Sequence, residues 1–392
     1  MLTCCLMMTI TFVSCLVPED TVQNETAHQE IMEHETDRVI NIKYKIDPSH
    51  DFQGTVANWF DFKRAANSVT LDDGTYDQYA AAFPVMESLG IKGTFYIAAH
   101  LIDRGVWNDN GTLRKMMSWD NAAKISKAGH EIGSHSLNHL DMSKSGVDLE
   151  EELSGSRIYI ENKIPGIKVE TFCWPHWRET IPALKAASKV YISARTGNGI
   201  ISYYLQRNGG IPSDPPENMF KVNAFGFLNS HTKREWKALI DDIYEKGSWF
   251  VSSYHGVDDG YLPEDHLGWN PLSTDLFTRT LKYPVEKGFW IDTFANVSKY
   301  IFERDNTVLH LKNRGFSIEL TLEDGLDDMV YNQMLSISFK IPESWTIFEI
   351  RNEHNEIISY REEENVVFLN IFPDGTLFEL KPLLTEGELI LE

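Results

Sequence analysis

Asp72 and Asp73 stand side by side after the β-branched run Ser68–Leu71 and are followed by Gly74. Farther along, His135 and His139 come just after His130–Gly133, and His255 follows Trp249–Tyr254. Two histidines at that spacing can point the same way from one helical turn. A carboxylate from another strand end then completes a three-ligand metal set with positions left open for water. Hydrolytic metals need that opening, because a coordinated water acidifies towards neutrality and a neighbouring carboxylate then suffices to take its proton. Asp72 and Asp73 can divide those tasks, one binding and the other accepting the proton. A lone His-x-x-x-His pair is more often structural; its combination with the paired acids and flanking glycines points to a site. Two histidines and a carboxylate also describe the facial triad of a non-haem Fe(II) oxygenase, so the elements that carry these residues matter.

Seven short β-rich runs alternate with helical patterns: Ser68–Leu71, Gly93–Ala98, His130–Gly133, Val169–Phe172, Val190–Ala194, Trp249–Tyr254 and Phe289–Ile291. That alternation predicts βα units around a parallel sheet. Ser118 is placed to cap a helix reaching Ala128, Asp148 and Glu151 have capping-box spacing, and Trp236, Leu239, Ile240 and Ile243 give 233–246 one apolar helical face. In βα barrels functional side chains project past the C-terminal strand ends. Those ends here carry Asp72 and Asp73, His135, Cys173-Trp174-Pro175, Arg195 and His255. The pattern argues against the oxygenase reading, since many such enzymes are all-β jelly rolls. Beyond Arg304 the runs VLHLK, FSIELTL, LSISFKI, TIFEI, VVFLNIF, TLFELK and ELILE alternate in the strand manner, which predicts an appended β-sandwich. Its one notable aromatic, Trp345, leaves it a docking or structural role.

The expected organisation is therefore a signal or lipoprotein segment at 1–17, a polar tether at 18–38, a barrel domain at 39–304 and the sandwich at 305–392. A chain of 392 residues exceeds what one hydrophobic core usually serves, which fits two domains. With 42% hydrophobic and 24% charged residues it should fold as a globule. A net charge of −22 repels phosphate backbones and excludes nucleic acid as a partner, whereas a neutral glycan fits without strain.

Three of the four cysteines, Cys4, Cys5 and Cys15, lie in the opening apolar run, which is too short to span a bilayer and carries no Lys or Arg. Phe12-Val13-Ser14-Cys15 resembles the bacterial lipobox, which implies lipidation at Cys15, export, and contact with the membrane through a lipid anchor alone. Cys173 is then the sole remaining thiol and reads as a small buried hydrophobe, with no intrachain disulfide.

The stretches VTLDDG and GHEIGSHSLNHLDM resemble the first two motifs of the NodB-type polysaccharide deacetylases, carbohydrate esterase family 4. The resemblance implies a distorted (β/α)7 barrel, with Asp72 as catalytic base and Asp73, His135 and His139 as ligands of a divalent metal. Zn²⁺ is the expected ion, with Co²⁺ or Ni²⁺ as alternatives. It further implies His255 as general acid and an acetylated glycan as substrate, with N- and O-acetyl groups both open. A catalytically weak glycan-binding protein on the same fold is the competing reading, because the third motif departs from the family pattern. Where the family often has Arg-Pro-Pro-Tyr-Gly, this chain has Cys173-Trp174-Pro175-His176-Trp177, and the Arg that orients the base is missing. Arg195, at the next strand end, is a candidate to supply that charge, and Asp292 is a candidate for the acid that tunes His255. Trp174, Pro175, Arg195, His266 and Trp269 are the candidates for substrate contact, and His100 and His176 are left without a role.

Overall fold

A computed structural model describes residues 45–197 and 219–383. The segment at 1–17, the tether at 18–38, Cys15 and the final run ELILE lie outside the described residues.

The first strand, Gly54–Val56 (β1), precedes the barrel. Next come Ala66–Leu71 (β2), Thr94–Ile97 (β3), a hairpin of Val106–Asp109 (β4) and Thr112–Lys115 (β5), and Glu131–Ser134 (β6). Thr171–Cys173 (β7), Ser193–Gly197 (β8), Val222–Gly226 (β9) and Trp249–Tyr254 (β10) follow. Strands β2, β3, β6, β7, β8, β9 and β10 are parallel, and β10 returns to pair with β2 from Trp249↔Ala66 to Tyr254↔Leu71, closing a seven-stranded barrel. Two expectations about its membership change. Val222–Gly226 supplies a strand that its sequence, with Asn223 and a terminal glycine, does not advertise. Phe289–Ile291, apolar and strand-like, is no barrel stave: Trp290–Ile291 only pairs with Ala66 and Asn67 at the base of β2.

Barrel strands are buried on both faces, so β2 and β10 read as continuous apolar or small-residue runs. Side-chain alternation sorts them into two cores. Val69, Leu71, Phe95, Ile97, Phe172 and Phe250 face the surrounding helices. Ala66, Tyr96, Cys173, Val251 and Trp249 belong to a second cluster that continues through the base into the helix Phe294–Asn306 and the sandwich. That helix starts at the barrel floor, where Glu131 accepts from the Ala295 N–H at 2.9 Å and Thr94 Oγ1 accepts from the Phe294 N–H at 2.9 Å, satisfying donors a helix start leaves orphaned.

The sandwich consists of two four-stranded sheets. Beyond the two-residue strands Val257–Asp258 (β11), Leu272–Ser273 (β12) and Trp290–Ile291 (β13), it is built from Val308–Asn313 (β14), Ile318–Glu323 (β15), Leu335–Lys340 (β16), Phe348–Asn352 (β17), Arg361–Glu363 (β18), Val366–Ile371 (β19) and Phe378–Pro382 (β20). One sheet has the order β14-β15-β20-β17; the other, β1-β16-β19-β18, takes its edge strand from before the barrel. The division at residue 304/305 therefore does not separate two self-contained units: Gly54–Val56 pairs with Ile337–Phe339. Trp345 is buried at 2% exposure and serves the sandwich core.

Candidate active site

β2 delivers Asp72 and Asp73 to the barrel mouth, where the chain reverses. Asp73 has φ 81° and Gly74 φ 85°, and a Cβ at Gly74 would lie 3.0 Å from Ile97 and Ile102. Only glycine fits there without strain. Left-handed backbone at Asp73 is strain of the kind that clusters at functional sites.

Asp73 Oδ1 lies 3.3 Å from His139 Nε2 and 3.5 Å from His135 Nε2. One ligand atom from each of these three residues falls within 4.8 Å of the others. The histidines do not share a helical turn, as their spacing suggested. They sit on a bent loop in which Ser136 (φ 69°) and His139 (φ 59°) are left-handed. Glu152, buried and absent from the sequence reading, holds that loop: it accepts from the N–H groups of Leu137 (3.1 Å) and Asn138 (2.9 Å) and from Asn138 Nδ2 (2.7 Å). His135 Nδ1 lies 2.8 Å from the Cys173 carbonyl oxygen, to which it can donate as Nδ1–H, and its Nε2 is turned towards Asp73. Burial pushes the Asp73 carboxyl up, but hydrogen bonds from His135 and His139 outweigh it and hold it well below its usual range. An anionic carboxylate and two converging imidazoles suit a borderline divalent cation.

Asp72 turns into the barrel. Arg195 does not stand past the end of its strand but within β8, fully buried, and its Nη2 donates to Asp72 Oδ1. The same nitrogen lies 2.7 Å from Cys173 Sγ, and the guanidinium carbon is 5.4 Å from the Tyr96 ring centroid. Gly133 makes room for that ring, since a Cβ there would collide with it. Burial raises the Asp72 pKa, but Arg195, and then His135 and His255, overcome it and leave the carboxylate below its ordinary value. Cys173 responds oppositely: burial pushes its thiol well above the usual range, although Arg195 pulls the other way.

His255 follows β10, with Nε2 3.7 Å from Asp72 Oδ2. Burial lowers its pKa, against the pull of Asp72 and Asp73. Two residues the sequence reading missed position this corner. Gln78 Nε2 donates to the carbonyls of both Asp72 and His255, the latter at 2.7 Å. Asp77 Oδ2 accepts from the Val257 and Gly268 N–H groups at 2.8 and 2.9 Å, closing the loop that carries Trp269. The Trp269 ring centroid lies 5.1 Å from that of His255. Nothing but a turn-like composition marks Asp77 and Gln78 in sequence, because the Val257 amide and the His255 carbonyl that they bind are 180 and 177 residues away.

The remaining candidates divide. Trp174 is not in the cleft: it is fully buried and donates Nε1 to the Phe220 carbonyl at 2.8 Å, and Pro175 is buried beside it. His266 packs edge-on to Tyr76 at 5.4 Å. His176 lies against His139, centroids 4.6 Å apart, whereas His100 bonds Asn138 through Nδ1 at 2.9 Å. Asp292 is at the other end of the barrel, its N–H on the Asn67 carbonyl at 3.2 Å and its carboxylate accepting from the Thr293 N–H and Asn296 Nδ2 beside the start of the Phe294–Asn306 helix, which Thr293 caps. Asn67 is five residues down β2 from Asp72, about 16 Å at a strand's rise, so Asp292 does not tune His255.

Residues 61–193 match the family model described as polysaccharide deacetylase. A gellan lyase of a Bacillus species is 24% identical over 354 residues, covering 85% of this chain and 13% of its own length. The uncharacterized protein YlxY of Bacillus subtilis is 36% identical over 93 residues, covering 24% of this chain and 25% of its own. The chain thus spans a quarter or less of these relatives. A polysaccharide deacetylase structure from Mycobacterium smegmatis, itself described as putative in function, aligns with a TM-score of 0.44 at 13% identity, over 64% of this chain and 95% of that one.

Proposed function

We propose that this chain is a polysaccharide deacetylase of the NodB type that hydrolyses acetyl groups on a glycan, with Asp72 as base and His255 as acid, a reading supported by the family match over residues 61–193. The observation that carries this reading is the placement of Asp72: Oδ1 is engaged by buried Arg195, while Oδ2 faces His255 beside the Asp73, His135 and His139 cluster.

A divalent ion held by Asp73, His135 and His139 would supply Lewis-acid polarisation and an acidified water, with Zn²⁺ the best match to two imidazoles and a carboxylate. Asp72 accepts the proton of the attacking water, and Arg195 keeps that carboxylate ionised until it does. His255 as imidazolium donates a proton to the leaving nitrogen or oxygen as the bond to the acetyl carbon breaks. For an amide that donation is needed because an amide anion leaves poorly; such general acids contribute roughly 10²–10⁴ in rate. The products are acetate and the freed amine or hydroxyl.

The missing third-motif Arg favours a binding protein only if its charge is lost, and Arg195 delivers a guanidinium to Asp72 from the neighbouring strand. The test is acetate release from acetylated chito-oligosaccharides and acetylated xylan by the Zn²⁺-loaded protein, with Asp73→Asn as control. Release that disappears along with bound metal in the control supports the proposal; no release from any acetylated glycan overturns it in favour of binding.

We infer too that the chain is exported and anchored through Cys15, on the strength of its apolar opening and Val13-Ser14-Cys15. Palmitate labelling that persists in Cys15→Ser overturns this.

A further inference from the structure

Trp177 ends the stretch in which Cys173 stands in place of an arginine. Its backbone is left-handed at φ 55°, as is that of His176 before it, an uncommon conformation for so bulky a side chain. Such backbone persists only where the surroundings over-determine it. Here the surroundings include two glycines on other strands. A Cβ at Gly197, on β8, would stand 2.6 Å from the Trp177 indole, and one at Gly226, on β9, 2.8 Å from it. Neither glycine has a positive φ, so the backbone requires glycine at neither place. The ring does.

Strand alternation tells where that ring lies. On β8 Ala194 packs towards the helices, so Arg195 and Gly197 face the lumen; on β9 Phe225 packs towards the helices, so Ala224 and Gly226 face inward. Gly197 is two residues nearer the mouth than Arg195, about 7 Å at a strand's rise. The indole therefore spans the tops of β8 and β9, one level above the guanidinium. Beneath it Arg195 crosses the lumen to Asp72, with Cys173 Sγ 2.7 Å from its Nη2. Arg195 and Cys173 are fully buried, whereas Trp177 keeps an edge in solvent. An ion pair is strongest where water is kept away, because water both screens the charges and competes for the guanidinium donors.

We propose that Trp177 is a positioning residue that roofs the lumen: seated on Gly197 and Gly226, it keeps water from the Arg195–Asp72 pair and so holds the guanidinium on the base. Its part in acetyl hydrolysis rests on the deacetylase reading above; the roof itself does not. The full, Zn²⁺-loaded chain is treated with methyl methanethiosulfonate, and labelling of Cys173 is followed by mass spectrometry of its peptide, alongside kcat and KM for acetate release. Trp177→Ala should label at least about tenfold faster than wild type, because Cys173 then reacts without waiting for a local opening. Gly226→Ala should do the same, since its methyl displaces the ring, and it carries the same readouts should Trp177→Ala not fold. Trp177→Phe, which keeps an aromatic roof, should label near the wild-type rate. In Trp177→Ala kcat should fall about 10–100-fold with KM nearly unchanged, and the same substitution should cost little more in Arg195→Met, where the pair is already gone. Arg195→Lys replaces that background if it does not fold. Wild-type labelling rates in folded Trp177→Ala and Gly226→Ala overturn the roof. A raised KM with unchanged kcat, or the full loss repeated in the Arg195 background, overturns action through Arg195. If wild type releases no acetate, the deacetylase reading fails alone when labelling still depends on Trp177. The roof fails with it when labelling is indifferent to that residue.

Discussion

Arg195, on β8, donates to the Oδ1 of Asp72, at the end of β2, across the barrel interior, with Cys173 Sγ 2.7 Å from the same guanidinium nitrogen. The pair is fully enclosed. Among the described residues Arg195 Nε and Nη1 have no hydrogen-bond partner, so Asp72 is the partner that compensates the buried cation. A pair so placed contributes chiefly through what its loss would expose.

Arg195→Met should therefore leave an uncompensated buried carboxylate, destabilising the protein by about 3–5 kcal/mol. The Asp72 pKa, now held down by Arg195, should rise, so the acidic limb of the pH–rate profile moves to higher pH. Denaturant unfolding and the pH profile together check this; an unmoved acidic limb would show that Arg195 does not govern the base.

Placing the arginine of the resembled third motif at position 173 should harm this protein. Cys173→Arg places a second guanidinium against Arg195 in a space with one carboxylate, and both the like charge and the added volume are unfavourable. Loss of soluble folded protein, or a fall of several kcal/mol in stability, is expected. Recovery of a stable fold in the double variant Cys173→Arg with Arg195→Ala would show that the two positions share one role.

Glu152→Ala removes the carboxylate that holds the Leu137 and Asn138 amides, freeing the loop between His135 and His139. Metal affinity should drop about 10–100-fold, as for other residues that orient ligands. Competition against a chromogenic chelator measures it, and wild-type affinity in a folded variant would refute the assignment.

Asp77 supplies a pH signature. Burial raises its pKa from 3.8 to about 6, against hydrogen bonds from Gly268, Thr75 and Val257. A carboxyl raised on folding contributes stability that is complete below the unfolded value and lost as pH rises through about 6. The cost at neutral pH is about 3 kcal/mol. Asp77→Asn keeps the shape without the charge, so its melting temperature relative to wild type should climb between pH 4 and pH 7. A constant difference over that range would count against a buried ionised Asp77.

Local chemistry made much of this protein legible. Asp72, Asp73, His135, His139 and His255 follow β-rich runs, and strand ends are where a βα barrel exposes side chains, so types, spacing and position agreed before any coordinates. The helix Lys233–Lys246 was legible from the apolar stripe of Trp236, Leu239, Ile240 and Ile243, and the structure ends it with a Thr232 capping box and Gly247.

What tertiary structure decided were pairings between segments with no local mark. Arg195 could be nominated from sequence, but only barrel closure aims it at Asp72. Asp77, Gln78 and Glu152 look like ordinary polar residues until distant backbone amides and carbonyls converge on them. Val222–Gly226 becomes a stave because its neighbours need a seventh partner, and Gly54–Val56 joins the far sandwich because β16 has an open edge. Sequence determines which groups are present and which face each takes on its own element. Which groups meet across the barrel depends on register and closure, and those are properties of the whole sheet.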